Sequence, residues 1–139
     1  MMLLSVKDLK VAYGNIEALH GISFDVDEGE IVTLIGANGA GKSTTLMTIC
    51  RLIPSLAELG GRVTQGSITY EGKDLMRYGP HQVVTDLGVT LVPEGRRIFG
   101  NLTVLENLKL AAYACNDADE LERAFKPAFT TSLLSGYSK

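Results

Sequence analysis

The chain has 139 residues, about one domain's worth, of which 45% are hydrophobic and 21% charged. That balance excludes a disordered chain and lets a core form without disulfide or metal staples. A net charge of −3 is the wrong footprint for non-specific binding to nucleic acid or anionic membrane. No apolar run approaches the roughly 18 residues of a membrane span. Met1-Met2-Leu3-Leu4 meets Lys7 and Asp8 too early for a secretory leader. Cys50 and Cys115 lack ligand-like spacing and suit reduced thiols in a cytoplasm. Glycine, with 15 residues, exceeds its usual share of about 7%.

The first half reads as strands. Leu4 to Val11 is an irregular candidate closed by a turn at Tyr13-Gly14-Asn15. Ile22, Phe24 and Val26 alternate with Ser23, Asp25 and Asp27, the period of a half-buried strand. A turn at Asp27-Glu28-Gly29 leads into Glu30 to Ile35, apolar on both faces like a central strand of a parallel sheet. From Ser43 the period becomes helical, with Leu46, Ile49, Cys50 and Ile53 on one stripe and Pro54 as the stop. Ser55 to Thr64, with Gly60-Gly61, reads as an irregular surface insertion.

A short strand follows at Gly66 to Tyr70, then a turn at Tyr70 to Lys73. Pro80 to Leu87 reads as a short helix with proline near its first position. Gly88 to Val92 is a second buried-type strand ended by Pro93. Thr103 and Glu106 form a capping box that starts a helix running to about Tyr113. Asp117 and Glu120 repeat that signal for a helix stopped by Pro127, after which the pattern is lost.

Gly36-Ala37-Asn38-Gly39-Ala40-Gly41-Lys42-Ser43 matches G-x-x-x-x-G-K-[ST]. Glycines let successive backbone N–H groups turn inward around a phosphate with no Cβ in the way. Lys42 is placed to reach the β- and γ-phosphates and the Ser43 hydroxyl to ligate Mg²⁺. The helix that follows adds its positive N-terminal end. Composition alone would produce the pattern in roughly one such chain in a hundred, and its place between an apolar run and a helix is the context the mechanism needs. The loop by itself does not separate ATPases from GTPases or kinases.

Tyr13-Gly14, the stretch Gly36 to Thr44, and Leu91-Val92-Pro93-Glu94-Gly95-Arg96-Arg97-Ile98-Phe99 with Asn101 to Leu108 resemble the ATP-binding subunit of an ABC transporter. More narrowly, Ile31 to Lys42 is similar to the subunits that energise high-affinity branched-chain amino acid uptake in bacteria. The likeness spans about residues 3 to 113. It implies an α/β fold of the ABC-type P-loop NTPase, incomplete, with an antiparallel β layer and the start of a helical subdomain. Residues 1–113 would be the N-terminal part of that domain and 114–139 a truncated or divergent tail.

The resemblance also implies roles. Tyr13, otherwise readable as a turn or core tyrosine, matches the aromatic that stacks on adenine. Gly36, Asn38, Gly39, Ala40, Gly41, Lys42, Ser43 and Thr44 match the ATP-binding loop. Glu94 stands where most ABC ATPases carry glutamine, and the branched-chain subfamily resembles this chain in having glutamate there. Its carboxylate suits Mg²⁺ or a bridging water. Lys42 and Glu94 are therefore the catalytic candidates, and Ser43 and Glu94 the metal candidates. Arg96 and Arg97 either belong to the same coupling loop or are simply solvated. The implied cofactors are ATP and Mg²⁺. The implied partners are membrane-spanning permease subunits and a second ATPase subunit, on the cytoplasmic face of the plasma membrane.

Three family elements have no match. No apolar strand ends in the Walker-B Asp followed by a catalytic Glu; Val83 to Asp86 is too short, and Val89 to Glu94 has a proline at that place. Leu134-Ser135-Gly136 repeats three letters of the family's signature, but Tyr137 replaces the second glycine. His20 and His81 precede the place of the switch histidine and read as surface or strand-edge residues. The expectation is an N-terminal part of an ABC ATPase, cut short by gene, expression boundary or frameshift, that binds nucleotide weakly and turns over negligibly by itself. A non-catalytic nucleotide-binding or interaction fragment is the alternative. A kinase or GTPase fits less, since no guanine-reading Asn-Lys-x-Asp sequence is present and the Glu94 loop has no place in either.

Overall fold

A computed structural model describes residues 1–53, 60–95, 98–112, 119 and 123–127. The chain divides into two compact units, Met1–Val92 and Pro93–Lys139.

In the first unit, β1 (Met2–Tyr13) and β2 (Ile16–Asp27) form a hairpin across Gly14-Asn15. β1 is central, with β2 on one side, β3 (Gly61–Tyr70) on the other, and β4 (Lys73–Asp74) beyond β3. Every pairing is antiparallel. This is the expected antiparallel β layer. The alternation in β2 holds, with Ile22, Phe24 and Val26 half-buried and Ser23, Asp25 and Asp27 exposed.

The irregularity of β1 has a physical cause. Val6, Leu9 and Val11 are the fully buried apolar residues of β1, beside buried Ser5 and Ala12, and the spacing from Val6 to Leu9 holds one extra residue. Asp8 adopts a left-handed φ of 46°, and both ladders of β1 shift register there. The Asp8 N–H donates to Ser23 Oγ at 2.8 Å. Across the other ladder the bulge leans on Gly66, at φ 97°. A Cβ there would lie 2.5 Å from the Lys7 carbonyl oxygen and 2.6 Å from that of Asp8. That bend at Gly66 hides the true start of β3, which is Gly61 rather than Gly66; Gly61 to Gln65 pair with Tyr13 to Lys10. The next turn is as read: Glu71 and Gly72 take φ 48° and 74°, the two positive values of a tight hairpin turn.

Helix α1 (Lys42–Ile49) is shorter than the periodicity predicts, and its buried stripe is rotated. Ile49, Cys50 and Ile53 are buried as expected, but Leu46 is exposed and Thr45 and Thr48 are buried instead. Their hydroxyls donate to the Gly41 and Thr44 carbonyls at 2.9 and 2.6 Å, which makes threonine acceptable in the core. Burial pushes the Cys50 thiol pKa up.

The helix closes before Pro54. Arg51 turns left-handed at φ 59°, its N–H donating to Thr48 O at 3.0 Å and that of Leu52 to Met47 O at 2.8 Å. Glycine is usual at that position. Arg51 is held there by its side chain, which donates from Nε to the Tyr78 carbonyl at 3.1 Å and from Nη2 to the Met76 carbonyl at 3.3 Å. Burial pulls its pKa down, and the charge of Asp74 pushes it up. The end of α1 is thereby tied to a 3₁₀ turn at Leu75–Arg77.

Ile49, Ile53, Leu75, Val83 and Leu87 pack against Val6, Leu9, Val11, Leu19 and Ile68 of the sheet. Each such side chain contributes about 1.5–3 kcal/mol on full burial. α2 (Pro80–Thr85) starts on its proline as read.

Two expected strands are not formed. Glu30 to Ile35 and Gly88 to Val92 carry no ladder among the described residues. Ile31 and Ile35 are each 93% exposed and Val92 87%. A parallel strand is stable only between neighbours that take its N–H and C=O groups. An apolar run specifies burial but not the partner that supplies it.

In the second unit, α3 (Val104–Ala111) opens on the expected capping box. The Thr103 N–H and hydroxyl each donate to Glu106 Oε2 at 2.8 Å, and the Glu106 N–H returns to Thr103 Oγ at 3.3 Å. These bonds hold the exposed Glu106 carboxyl below its ordinary pKa. Asn107 ties the preceding loop to the helix: Oδ1 accepts from the Phe99 N–H at 2.8 Å, while Nδ2 donates to the Phe99 and Thr103 carbonyls at 3.1 and 3.0 Å. Residues 123–127 are helical, and Pro127 is the last of them; the residues that follow it lie outside the described ones. Tyr113, Cys115, Asp117, Glu120 and Leu134 to Gly136 lie outside the described residues.

Gly66→Ala is expected to destabilise the chain by about 2–3 kcal/mol, from left-handed strain plus the clash with β1, read as a lower thermal midpoint. Thr103→Ala is expected to raise the Glu106 titration midpoint, followed by NMR. The lowered carboxyl stabilises α3 fully above the ordinary glutamate range, and that stabilisation is lost as pH falls through its depressed value.

Candidate functional site

The loop from Gly36 leads straight into α1. The Ala40 N–H donates to Ala37 O at 3.1 Å, closing a turn across Asn38 and Gly39. Gly39 and Gly41 both lie in the left-handed region, at φ 86° and 87°. Left-handed residues at alternate positions are the backbone geometry of an anion nest. Gly41 is also the N-cap of α1, where no side chain caps the helix and no acidic residue occupies the first turn. The first-turn N–H groups and the positive end of the helix are therefore directed at whatever sits in the loop.

The glycines have separate reasons. At Gly41 a Cβ would fall 2.4 Å from Leu19 Cδ2 and 2.9 Å from the Ala18 carbonyl oxygen, so the start of α1 rests directly on β2. At Gly36 a Cβ would lie 2.9 Å from that of Ala40, within the loop itself. Gly39 has open space around it, and its constraint is backbone conformation alone.

Lys42 folds its ammonium back over the loop, donating to the Gly36 and Ala37 carbonyls at 2.6 and 2.8 Å. An ammonium carries three N–H donors, so one remains for an anion. Ser43 is exposed in the first turn, beside the loop. Thr44 sends its carbonyl to Thr48, and Asn38 and Ala40 are exposed on the loop. The nest, the uncapped helix start and the lysine fit a phosphate. The Ser43 hydroxyl is a hard oxygen of the kind Mg²⁺ takes, alongside phosphate oxygens and water.

Tyr13 ends β1, partly buried and paired with Ile16 on one side and Gly61 on the other. Leu19, on which Gly41 rests, pairs with Val11. Tyr13 lies two residues further along that strand, about 7 Å at the usual rise. Tyr13 and Gly36 to Thr44 thus belong to one part of the first unit. Glu94 belongs to the second unit, and Arg96 and Arg97 lie outside the described residues.

Sequence reasoning missed Leu19 and Ala18 as the floor of the loop, and Arg51 as the lock on α1. Leu19 had no alternating signal to mark it, and an arginine at a helix end gives no hint of a left-handed backbone. Asn107 was legible only as one letter of a longer resemblance.

A sequence profile described as ABC transporter matches residues 19–135. The chain belongs to the ABC transporter family. It is 44% identical over 117 residues to the high-affinity branched-chain amino acid transport ATP-binding protein BraG of Pseudomonas aeruginosa, covering 84% of this chain and 46% of that protein. It is 34% identical over 122 residues to the probable branched-chain amino acid transport ATP-binding protein LivF of Archaeoglobus fulgidus, covering 88% and 48%. A solved ATP-binding subunit of an ABC transporter superposes with a TM-score of 0.68 at 38% identity, over 87% of this chain and 46% of the other. The chain spans about half the length of the curated relatives it matches. The fold is that of part of an ABC ATPase domain, and no helix among the described residues is long and apolar enough to cross a membrane.

Gly41→Ala is expected to destabilise the fold by about 2–3 kcal/mol in a thermal melt. Adding Leu19→Ala should not restore it, because the Ala18 carbonyl remains in the way.

Proposed function

We propose that the chain binds MgATP through Gly36 to Thr44 as part of the ATP-binding subunit of a branched-chain amino acid importer. The observation that carries the reading is the left-handed glycine loop set on the uncapped start of α1, with the Lys42 ammonium folded over it. Gly36, Asn38, Gly39, Ala40 and Gly41 shape the cradle, and their backbone holds the phosphates. Lys42 neutralises the β- and γ-phosphate charge. The Ser43 hydroxyl would hold Mg²⁺, Glu94 is a further metal candidate by the family resemblance alone, and Thr44 continues the helix turn that aims its N–H groups at the anion. Bound Mg²⁺ supplies charge neutralisation between the phosphates. Tyr13 stacks on adenine, an offset aromatic contact.

The transported class is supported by the names of BraG and LivF. Such a subunit works against membrane-spanning permease subunits and a second ATPase subunit, at the cytoplasmic face of the plasma membrane. The 139 residues by themselves contain no Walker-B Asp-Glu pair and no complete signature sequence, so nucleotide binding without turnover is the expected behaviour. The exposed Ile31, Ile35 and Val92 favour a second reading, a nucleotide-binding or interaction fragment that completes its fold on a partner.

Calorimetric titration with MgATP tests the proposal. Lys42→Ala should weaken binding at least about tenfold, through loss of a charge-assisted contact. Glu94→Gln should weaken the Mg²⁺-dependent part of the affinity and leave ATP binding in chelator unchanged. Phosphate release should stay at the blank rate. Hydrolysis abolished by Lys42→Ala would overturn the inactive reading, and unaltered MgATP affinity in Lys42→Ala would overturn the site.

A further inference from the structure

We infer that Gly61 is a positioning residue for Tyr13, and that it sets how well the site holds a purine base rather than phosphate. The inference rests on the reading of Tyr13 as the base-stacking residue. Gly61 lies directly opposite Tyr13 in the β1–β3 ladder. A Cβ on Gly61 would fall 2.9 Å from Tyr13 Cε1, 3.2 Å from Tyr13 Cδ1 and 2.8 Å from Ile53 Cγ2. The phenol ring therefore lies across the bare α-carbon, beside the isoleucine that follows α1.

Conformation does not explain this glycine. Gly61 is not among the residues of positive φ, unlike its neighbour Gly60 at φ 61°, so any residue could adopt its backbone. Space alone excludes a side chain, and the atoms that take up the space belong to Tyr13 and Ile53. Aromatic rings covering a cross-strand glycine are a known way of fixing a ring on a sheet.

Gly60 contributes separately. Its carbonyl accepts from the Gly14 N–H at 3.3 Å, pinning the turn that immediately follows Tyr13. Ring and turn are thus held by two consecutive glycines, in a segment whose sequence reads only as loop. Ile53 connects the arrangement to the phosphate loop, since it is buried in the same core as Ile49 at the end of α1. A methyl group on Gly61 must displace either the ring or Ile53. The partly exposed ring is the freer of the two, because Ile53 is fully buried.

The experiment compares MgATP with inorganic tripolyphosphate, which carries the phosphates without the base, by calorimetry on the full 139-residue chain. Gly61→Ala should weaken MgATP about tenfold, the size of a lost base–aromatic stack, and leave tripolyphosphate within about twofold. Tyr13→Ala should produce the same selective loss, and the double variant should bind MgATP no worse than Tyr13→Ala. If Gly61→Ala binds MgATP normally while Tyr13→Ala does not, the inference fails and the reading of Tyr13 stands. If Gly61→Ala loses both ligands equally, Gly61 is a general folding requirement and the inference fails. If Tyr13→Ala binds MgATP normally, the reading of Tyr13 fails and takes the inference with it.

Discussion

The close approach of Gly41 to β2 is the constraint on which the site depends. With a Cβ at Gly41 falling 2.9 Å from the Ala18 carbonyl oxygen and 2.4 Å from Leu19 Cδ2, the helix start can lie this close to the strand only if position 41 has no side chain. The same residue needs a left-handed backbone to turn the loop into α1. One glycine thus fixes where the helix begins, how far it stands from the sheet, and the direction of its first N–H groups. Lys42 and Ser43 inherit their positions from it. The loop geometry that fits a phosphate is a consequence of packing, before any ligand is considered.

Both ends of α1 are anchored. At its start the anchor is Gly41 on Leu19; at its end it is Arg51, whose guanidinium ties a left-handed backbone to the Met76 and Tyr78 carbonyls. Beyond Arg51, Ile53 enters the core and meets Gly61, which faces Tyr13. A helix of only 8 residues would be marginal alone, and tertiary anchors supply what its length does not. Burying Thr45 and Thr48 rather than Leu46 follows from the same placement, since their hydroxyls can return to the helix's own carbonyls.

Much of this was legible in the residues. The glycine loop leading into a helix was readable because glycines at that spacing permit the left-handed backbone it takes at Gly39 and Gly41. The Thr103–Glu106 cap, the Glu71-Gly72 turn and the Pro80 helix start were readable because local bonds decide them. Three features were not. The bulge at Asp8 and the bend at Gly66 depend on each other across a ladder, so neither strand reveals them alone. The rotation of α1 depends on hydroxyl bonds that a hydrophobic stripe ignores. Glu30 to Ile35 and Gly88 to Val92 read as strands because their composition is right, but a ladder partner is a non-local fact that composition does not carry. The family resemblance was legible in whole motifs, and Glu94 lies in the second unit.

Amide hydrogen exchange at residues 36–45, with and without saturating MgATP, tests the central claim most directly. Phosphates held by the nest and the uncapped helix start would slow exchange at Gly39 to Thr45, and the slowing would extend to Leu19 through the Gly41 contact. Unchanged exchange across Gly39 to Thr45 at saturating MgATP would contradict it.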